Sequence, residues 1–151
     1  MRELRTLSMR VYKYIPNKLY GFAIDNSDFQ VFFHLGQFKP FSANGLILPM
    51  QPPPILGEPV LVSFYPNVDN GRAPKAVSVE RTQKPKTIMG SVESYDNTRG
   101  YGFIMGEDGI SYHLHNSEIL NNRYPLQGEQ VKFYAGLRMG KPRACHIEVI
   151  R

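Results

Sequence analysis

Arg99-Gly100-Tyr101-Gly102-Phe103-Ile104 sets two aromatic rings two positions apart behind a cation. Alternate residues of an extended strand share a face, so Tyr101 and Phe103 project the same way. Two rings side by side on a solvent face make a platform for stacking nucleobases, and Arg99 stands where it reaches a phosphate. The same rings can instead pack against neighbours within a sheet, a use that involves no ligand. Tyr112-His113-Leu114-His115 alternates in the next apolar stretch, which puts His113 and His115 on one face. If the two stretches pair as a hairpin, both imidazoles lie beside the rings, where imidazole stacks on bases and donates hydrogen bonds. A second set occurs earlier in the chain. Lys18-Leu19-Tyr20-Gly21-Phe22-Ala23 is followed by Val31-Phe32-Phe33-His34, giving Tyr20, Phe22, Phe32 and His34 as stacking candidates with Lys13 and Lys18 as cations nearby.

The second set exists because the chain repeats. Val11, Tyr14, Tyr20, Gly21, Phe22 and His34 return as Val92, Tyr95, Tyr101, Gly102, Phe103 and His115, each 81 positions later. Tyr14 and Tyr95, the recurring first-strand aromatics, are counted with the binding faces. Gly57-Glu58-Pro59-Val60 returns as Gly128-Glu129-Gln130-Val131 at an offset of 71, and Pro74-Lys75-Ala76 as Pro142-Arg143-Ala144 at 68. The first copy therefore has a middle loop ten residues longer and a later turn three residues longer. Insertions confined to loops are what a duplicated domain tolerates. The expected domains are residues 1–82 and 87–151, joined by the polar, proline-broken Gln83-Lys84-Pro85-Lys86. The long loop holds Pro49-Met50-Gln51-Pro52-Pro53-Pro54. It reads as a stiffened connector between strands, with a polyproline II ligand for a protein partner as the other use.

Twelve prolines and thirteen glycines cut the chain into short segments, which excludes long helices. Strands are expected at 10–15, 20–25, 29–35, 59–65 and 75–79, then at 90–95, 101–105, 111–115, 130–134 and 144–149. A 3₁₀ turn is expected at 116–121 or near Gln37. Five strands in so short a stretch favour a small closed barrel, since an open sheet of that size exposes its edges. The fold class is all-β, two tandem five-stranded OB-type barrels.

The net charge of +5 favours a polyanionic partner. Split at Thr82, the first part has nine Lys and Arg against six Asp and Glu, the second nine against seven, so both are basic. The single cysteine, Cys145, cannot form an internal disulfide, and no apolar run is long enough to span a bilayer. A cytoplasmic protein away from membranes, monomeric and without cofactor or metal, is the expectation. Cys145 and His146 are adjacent on a strand and point to opposite faces, so they cannot act together as nucleophile and base. Ser42, Ser63 and Ser117 lack a nucleophile-elbow context. No catalytic constellation emerges, and no enzyme is expected.

Residues 99–104 with 112–119 resemble the two ribonucleoprotein motifs of bacterial cold-shock proteins and eukaryotic cold-shock domains, Lys-Gly-Phe-Gly-Phe-Ile and Val-Phe-Val-His-Phe-Ser-x-Ile. Residues 90–96 are similar to the family's first strand, and 128–133 and 140–147 to its last two, so the resemblance covers nearly all of 88–151. In the first copy, Leu19 replaces the leading glycine of the first motif. The resemblance implies stacking roles for Tyr20, Phe22, Phe32, His34, Tyr101, Phe103, His113 and His115. It also implies a sequence-tolerant preference for pyrimidine-rich single strands. Two departures stand out. The family's exposed first-strand tryptophan is Lys13 in one copy and Ser94 in the other, and the aromatic after the motif histidine becomes Leu35 and Asn116. Each lost stacking partner removes about 1–3 kcal/mol, which tandem linkage can restore.

The expected function is binding of single-stranded RNA or DNA, as an RNA chaperone or a regulator of transcription or translation. The alternative is an OB-type protein-interaction module that docks on a polymerase or nuclease, using the 49–54 loop.

Overall fold

The computed structural model describes residues 3–66, 73–120 and 123–150. The chain divides into two compact units, Met1–Lys84 and Pro85–Arg151. Among the described residues the regular structure is all strand, apart from 3₁₀ turns at Leu35–Gln37 and Asn116–Glu118. Both places where the sequence allows such a turn thus have one, although Asn121 lies outside the described residues.

The first unit comprises β1 (Arg5–Ile15), β2 (Tyr20–Ile24), β3 (Gln30–His34), β4 (Phe38–Lys39), β5 (Ser42–Ala43), β6 (Leu46–Ile47), β7 (Pro59–Phe64) and β8 (Ala76–Arg81). The second comprises β9 (Thr87–Asp96), β10 (Tyr101–Gly106), β11 (Ser111–His115), β12 (Gln130–Arg138) and β13 (Lys141–Ile150).

The second unit is a closed five-stranded barrel in the order β10-β11-β13-β12-β9. Its strands alternate as a one-sided sheet must: Gly102, Ile104 and Gly106 are buried while Tyr101, Phe103 and Met105 face out. Ile88, Val92, Ile104, Leu114, Val131, Phe133 and Ile147 fill the interior with Tyr112, whose ring lies 4.9 Å from that of Phe133. β9 slips register between Val92 and Ser94. Such a bulge bends a strand and sharpens its twist, and here it lets β9 pair with both β10 and β12. At the bulge the strands approach so closely that a Cβ on Gly102 would collide with the Ser94 carbonyl. That contact is why glycine separates the two rings.

β12 and β13 run longer than the sequence suggested, because Met139 and Gly140 both adopt left-handed φ (53° and 77°) between the paired Arg138 and Lys141. This two-residue turn suits strand twist, so the glycines and Pro142 do not end the ladder.

The first unit repeats the plan with changes. Its main sheet has six strands, β3-β2-β1-β7-β8-β4, rather than five. β4 adds a short parallel edge to β8 (Phe38 opposite Val79). Among the described residues β3 forms no ladder with β8; an isolated parallel bridge joins Phe32 to Lys75, just before β8, and the Phe32 N–H donates to the Pro74 carbonyl at 2.8 Å. The barrel is therefore nearly closed. The longer turn before Pro74 falls largely outside the described residues. Leu19 takes the left-handed backbone (φ 59°) that Gly100 takes in the second unit (φ 76°), a conformation that costs a β-carbon-bearing residue about 1–2 kcal/mol. Each receives the N–H that starts the 3₁₀ segment, Leu35 to Leu19 and Asn116 to Gly100.

Residues 49–54 connect β6 to β7, as expected of a stiffened loop, and they also enclose a buried side chain. Arg81 is fully buried and reaches into this loop: Nε and Nη2 donate to Glu58 (2.7 and 2.8 Å), Nη1 to the Pro52 carbonyl (3.0 Å) and Nη2 to that of Pro53 (2.9 Å). Gln51 clamps the next turn out, accepting from the Phe41 N–H and donating to the Phe41 and Leu48 carbonyls. A buried guanidinium needs its donors satisfied, and the proline carbonyls satisfy it. The rest of the insertion forms the β5–β6 hairpin, turned by Asn44-Gly45 with φ 54° and 79°.

Candidate nucleic-acid interface

In the second unit β10 and β11 pair as a hairpin with Tyr101 opposite His115 and Phe103 opposite His113. Opposed residues present side chains to the same side of a sheet, so four rings meet on the outer face. Tyr101 and His113 stack at 5.8 Å, Phe103 meets His113 edge-on at 5.7 Å, and His113 lies 6.4 Å from His115. Tyr101 and Phe103 are 37% and 44% exposed although their neighbours Gly102 and Ile104 are buried. These rings are available to a ligand, and the core does not use them. Arg99 donates to the Tyr101 hydroxyl at 3.2 Å and approaches the Asp96 carboxylate at 3.9 Å. An ion pair so exposed is weak and yields readily to a phosphate.

In the first unit Tyr20, Phe22 and Phe32 form the equivalent cluster, with centroids 5.3–6.4 Å apart. Phe22 lies opposite both Phe32 and the exposed Lys13, and Tyr20 lies opposite His34. Lys18 is exposed in the turn between β1 and β2. The two histidines that follow are fixed by the turns they start: His34 Nδ1 accepts the Gly36 N–H (3.2 Å) and His115 Nδ1 that of Ser117 (3.1 Å). In the neutral form each ring then carries its proton on Nε2, as a donor.

The structure does not bring Tyr14 and Tyr95 to these clusters. Tyr14 lies opposite Gly21 and Tyr95 opposite Gly102, both on the inward side. Burial raises both phenol pKa values. Tyr95 packs against the core, with Tyr124 at 6.4 Å and its buried hydroxyl unpartnered among the described residues. Cys145 is buried, whereas His146 is half-buried with its ring 6.2 Å from Tyr134. Among the described residues no cluster of His, Cys, Asp and Glu is placed to hold a metal ion.

Three cations escaped the sequence reading. Arg138, Lys141 and Arg143 line a groove of about 640 Å³ that begins at Phe103 and His113. The signal was available: Arg138 and Lys141 flank a turn, and Pro142-Arg143-Ala144 repeats Pro74-Lys75-Ala76.

Burial, with Arg143 next and Arg138 also contributing, lowers the pKa of both His113 and His115; the two repel each other at His113, and Glu118 opposes the shift at His115. In the unfolded chain both titrate near the ordinary value of about 6.5. The unfolded state therefore binds protons first on acidification. Their contribution to stability is complete above about pH 6.5 and is lost as pH falls from there through the lower folded values. Denaturant titrations at a series of pH values should show the second unit weakening on the acid side of that point. His113→Gln should flatten the dependence, and an unchanged profile in that variant would remove His113 from the account.

Comparison with known proteins places the 'Cold-shock' DNA-binding domain family on residues 88–150. No curated protein matches the chain. Among solved structures, drosophila Unr CSD456 is similar at 14% identity with a TM-score of 0.41. That match covers all of this chain, which spans 63% of the length of that one.

Proposed function

We propose, from the match of residues 88–150 to the 'Cold-shock' DNA-binding domain family, that the protein binds single-stranded RNA or DNA on its outward aromatic faces. The observation that carries this reading is the outward cluster of Tyr101, Phe103 and His113. Bases stack on the rings, while Arg99, Arg138 and Lys141 neutralise the backbone beside them. In the first unit Tyr20, Phe22 and Phe32 take the bases and Lys13 and Lys18 the phosphates. Holding strands unpaired in this way suits an RNA chaperone or a regulator of transcription or translation. Tyr14 and Tyr95 support the faces from beneath. The test is titration of labelled oligo-U and oligo-dT across a salt series, where affinity should fall linearly with salt on logarithmic axes.

A second reading, protein docking by the first unit, is favoured by its insertion. Leu46, Ile47 and Met50 are 72%, 65% and 96% exposed around the β5–β6 hairpin. Absence of any oligonucleotide binding at low salt would turn the assignment to docking.

A further inference from the structure

Arg143 is buried on the binding face of the second unit without adequate partners. β13 runs parallel to β11 with Arg143 opposite His113, so both side chains belong to the outer side of the sheet. Its side chain is only 7% exposed, its nearest carboxylate oxygen, on Glu118, is 3.7 Å away, and its Nε has no partner among the described residues. Its charge acts on both His113 and His115, and it lines the groove that opens beside Phe103. A buried guanidinium short of acceptors is costly to the free protein. The 3.7 Å contact to Glu118 engages only one end of the guanidinium and leaves Nε without an acceptor among the described residues, so that ion pair does not account for the whole group.

The two units differ at this point. Phe32 occupies the place of His113 in the first unit, and its partner across the parallel bridge is Lys75, which is exposed. Arg138 and Lys141 on the groove rim are exposed as well. Exposed cations suit phosphates, which stay in solvent. Arg143 lies lower, beside the rings on which a base would rest.

We propose that Arg143 reads the edge of a base stacked over His113 and selects guanine, so that the second unit is base-selective and the first is sequence-tolerant. This rests on the single-strand binding proposed above. A guanidinium offers donors only, in a planar fork. Guanine presents two adjacent acceptors, O6 and N7, whereas adenine replaces one of them with an amino donor that a cation rejects. Arg143 lines the groove beside Phe103 and His113 and its contact to Glu118 is loose, so the fork can turn to that pair of acceptors.

The test uses the full chain and two labelled uridine strands of about a dozen nucleotides, a length in the range one or two OB-type barrels cover. One strand carries a single central guanosine and the other an adenosine at that position. The expected result is roughly tenfold tighter binding of the guanosine strand. Arg143→Met and Arg143→Lys should both bring the ratio close to one. The lysine variant keeps the charge but loses the fork, and it secures the test if the methionine variant folds poorly. Equal affinity of the wild type for the two strands overturns the proposal, as does a preference that survives in the variants. Equal weakening on both strands in Arg143→Met, with a shallower salt dependence, would make Arg143 a phosphate contact and overturns it too. Failure of the wild type to bind either strand would sink the single-strand reading itself, whereas binding without discrimination sinks only the role of Arg143.

Discussion

Glu58→Ala is expected to destabilise the first unit by on the order of 3–5 kcal/mol, because it leaves the fully buried Arg81 charge without its carboxylate. Glu58 accepts from Nε and Nη2 of Arg81 and from the Ile55 N–H. The proline carbonyls at 52 and 53 and the Phe38 ring, 5.0 Å from the guanidinium carbon, complete the enclosure. None of these neighbours can neutralise the charge. Adding Arg81→Met to Glu58→Ala should recover much of the loss, since an apolar pair of similar volume replaces an ion pair with little penalty. Denaturant unfolding of the full chain measures both variants, and the second unit serves as the internal reference. A first-unit midpoint that does not move in Glu58→Ala would show that Arg81 does not organise the loop.

Disabling either aromatic face should weaken binding to a long strand by roughly 10²–10⁴, if both faces hold one strand through intramolecular contact. Phe22→Ala with Phe32→Ala disables the first, and Phe103→Ala with His113→Ala the second. On an oligonucleotide short enough to fill one face, the penalty should shrink to the stacking loss itself, about 1–3 kcal/mol per base. All four rings lie on outer faces at least partly open to solvent, so thermal midpoints should fall only modestly. If one pair of substitutions abolishes binding to long strands and the other leaves it unchanged, only one unit binds. The remaining unit would then be free for the docking suggested by Leu46, Ile47 and Met50.

The aromatic faces were legible because alternation and repetition act locally. Tyr101, Phe103, His113 and His115 converge through one hairpin whose register follows from the turn between β10 and β11. Tyr14 and Tyr95 were grouped with them by recurrence alone. The bulge preceding each tyrosine decides which side the strand presents there, and no residue type in 11–14 or 92–95 announces a bulge. The six-stranded first sheet was hidden for a different reason. β4 owes its place to a parallel pairing with β8 across forty residues, beyond the reach of any local pattern. The β5–β6 hairpin, by contrast, was readable in Asn44-Gly45, a strong two-residue turn signal. Arg81 and Arg143 lie just outside the expected strands 75–79 and 144–149, and only the packing of distant segments makes one a buried clamp and the other a buried donor.

The central claim is that single strands, with bases free to stack, are the ligand. It is tested most directly by measuring the affinity of the full chain for labelled oligo-U, oligo-dT and a duplex of the same length over a salt series. The predicted result is single-strand binding whose logarithm falls linearly with that of salt, at a slope of about −0.7 per phosphate contacted, with the duplex bound much more weakly because its bases are already stacked. No single-strand binding at low salt, or a duplex bound as tightly as the single strands, would contradict it.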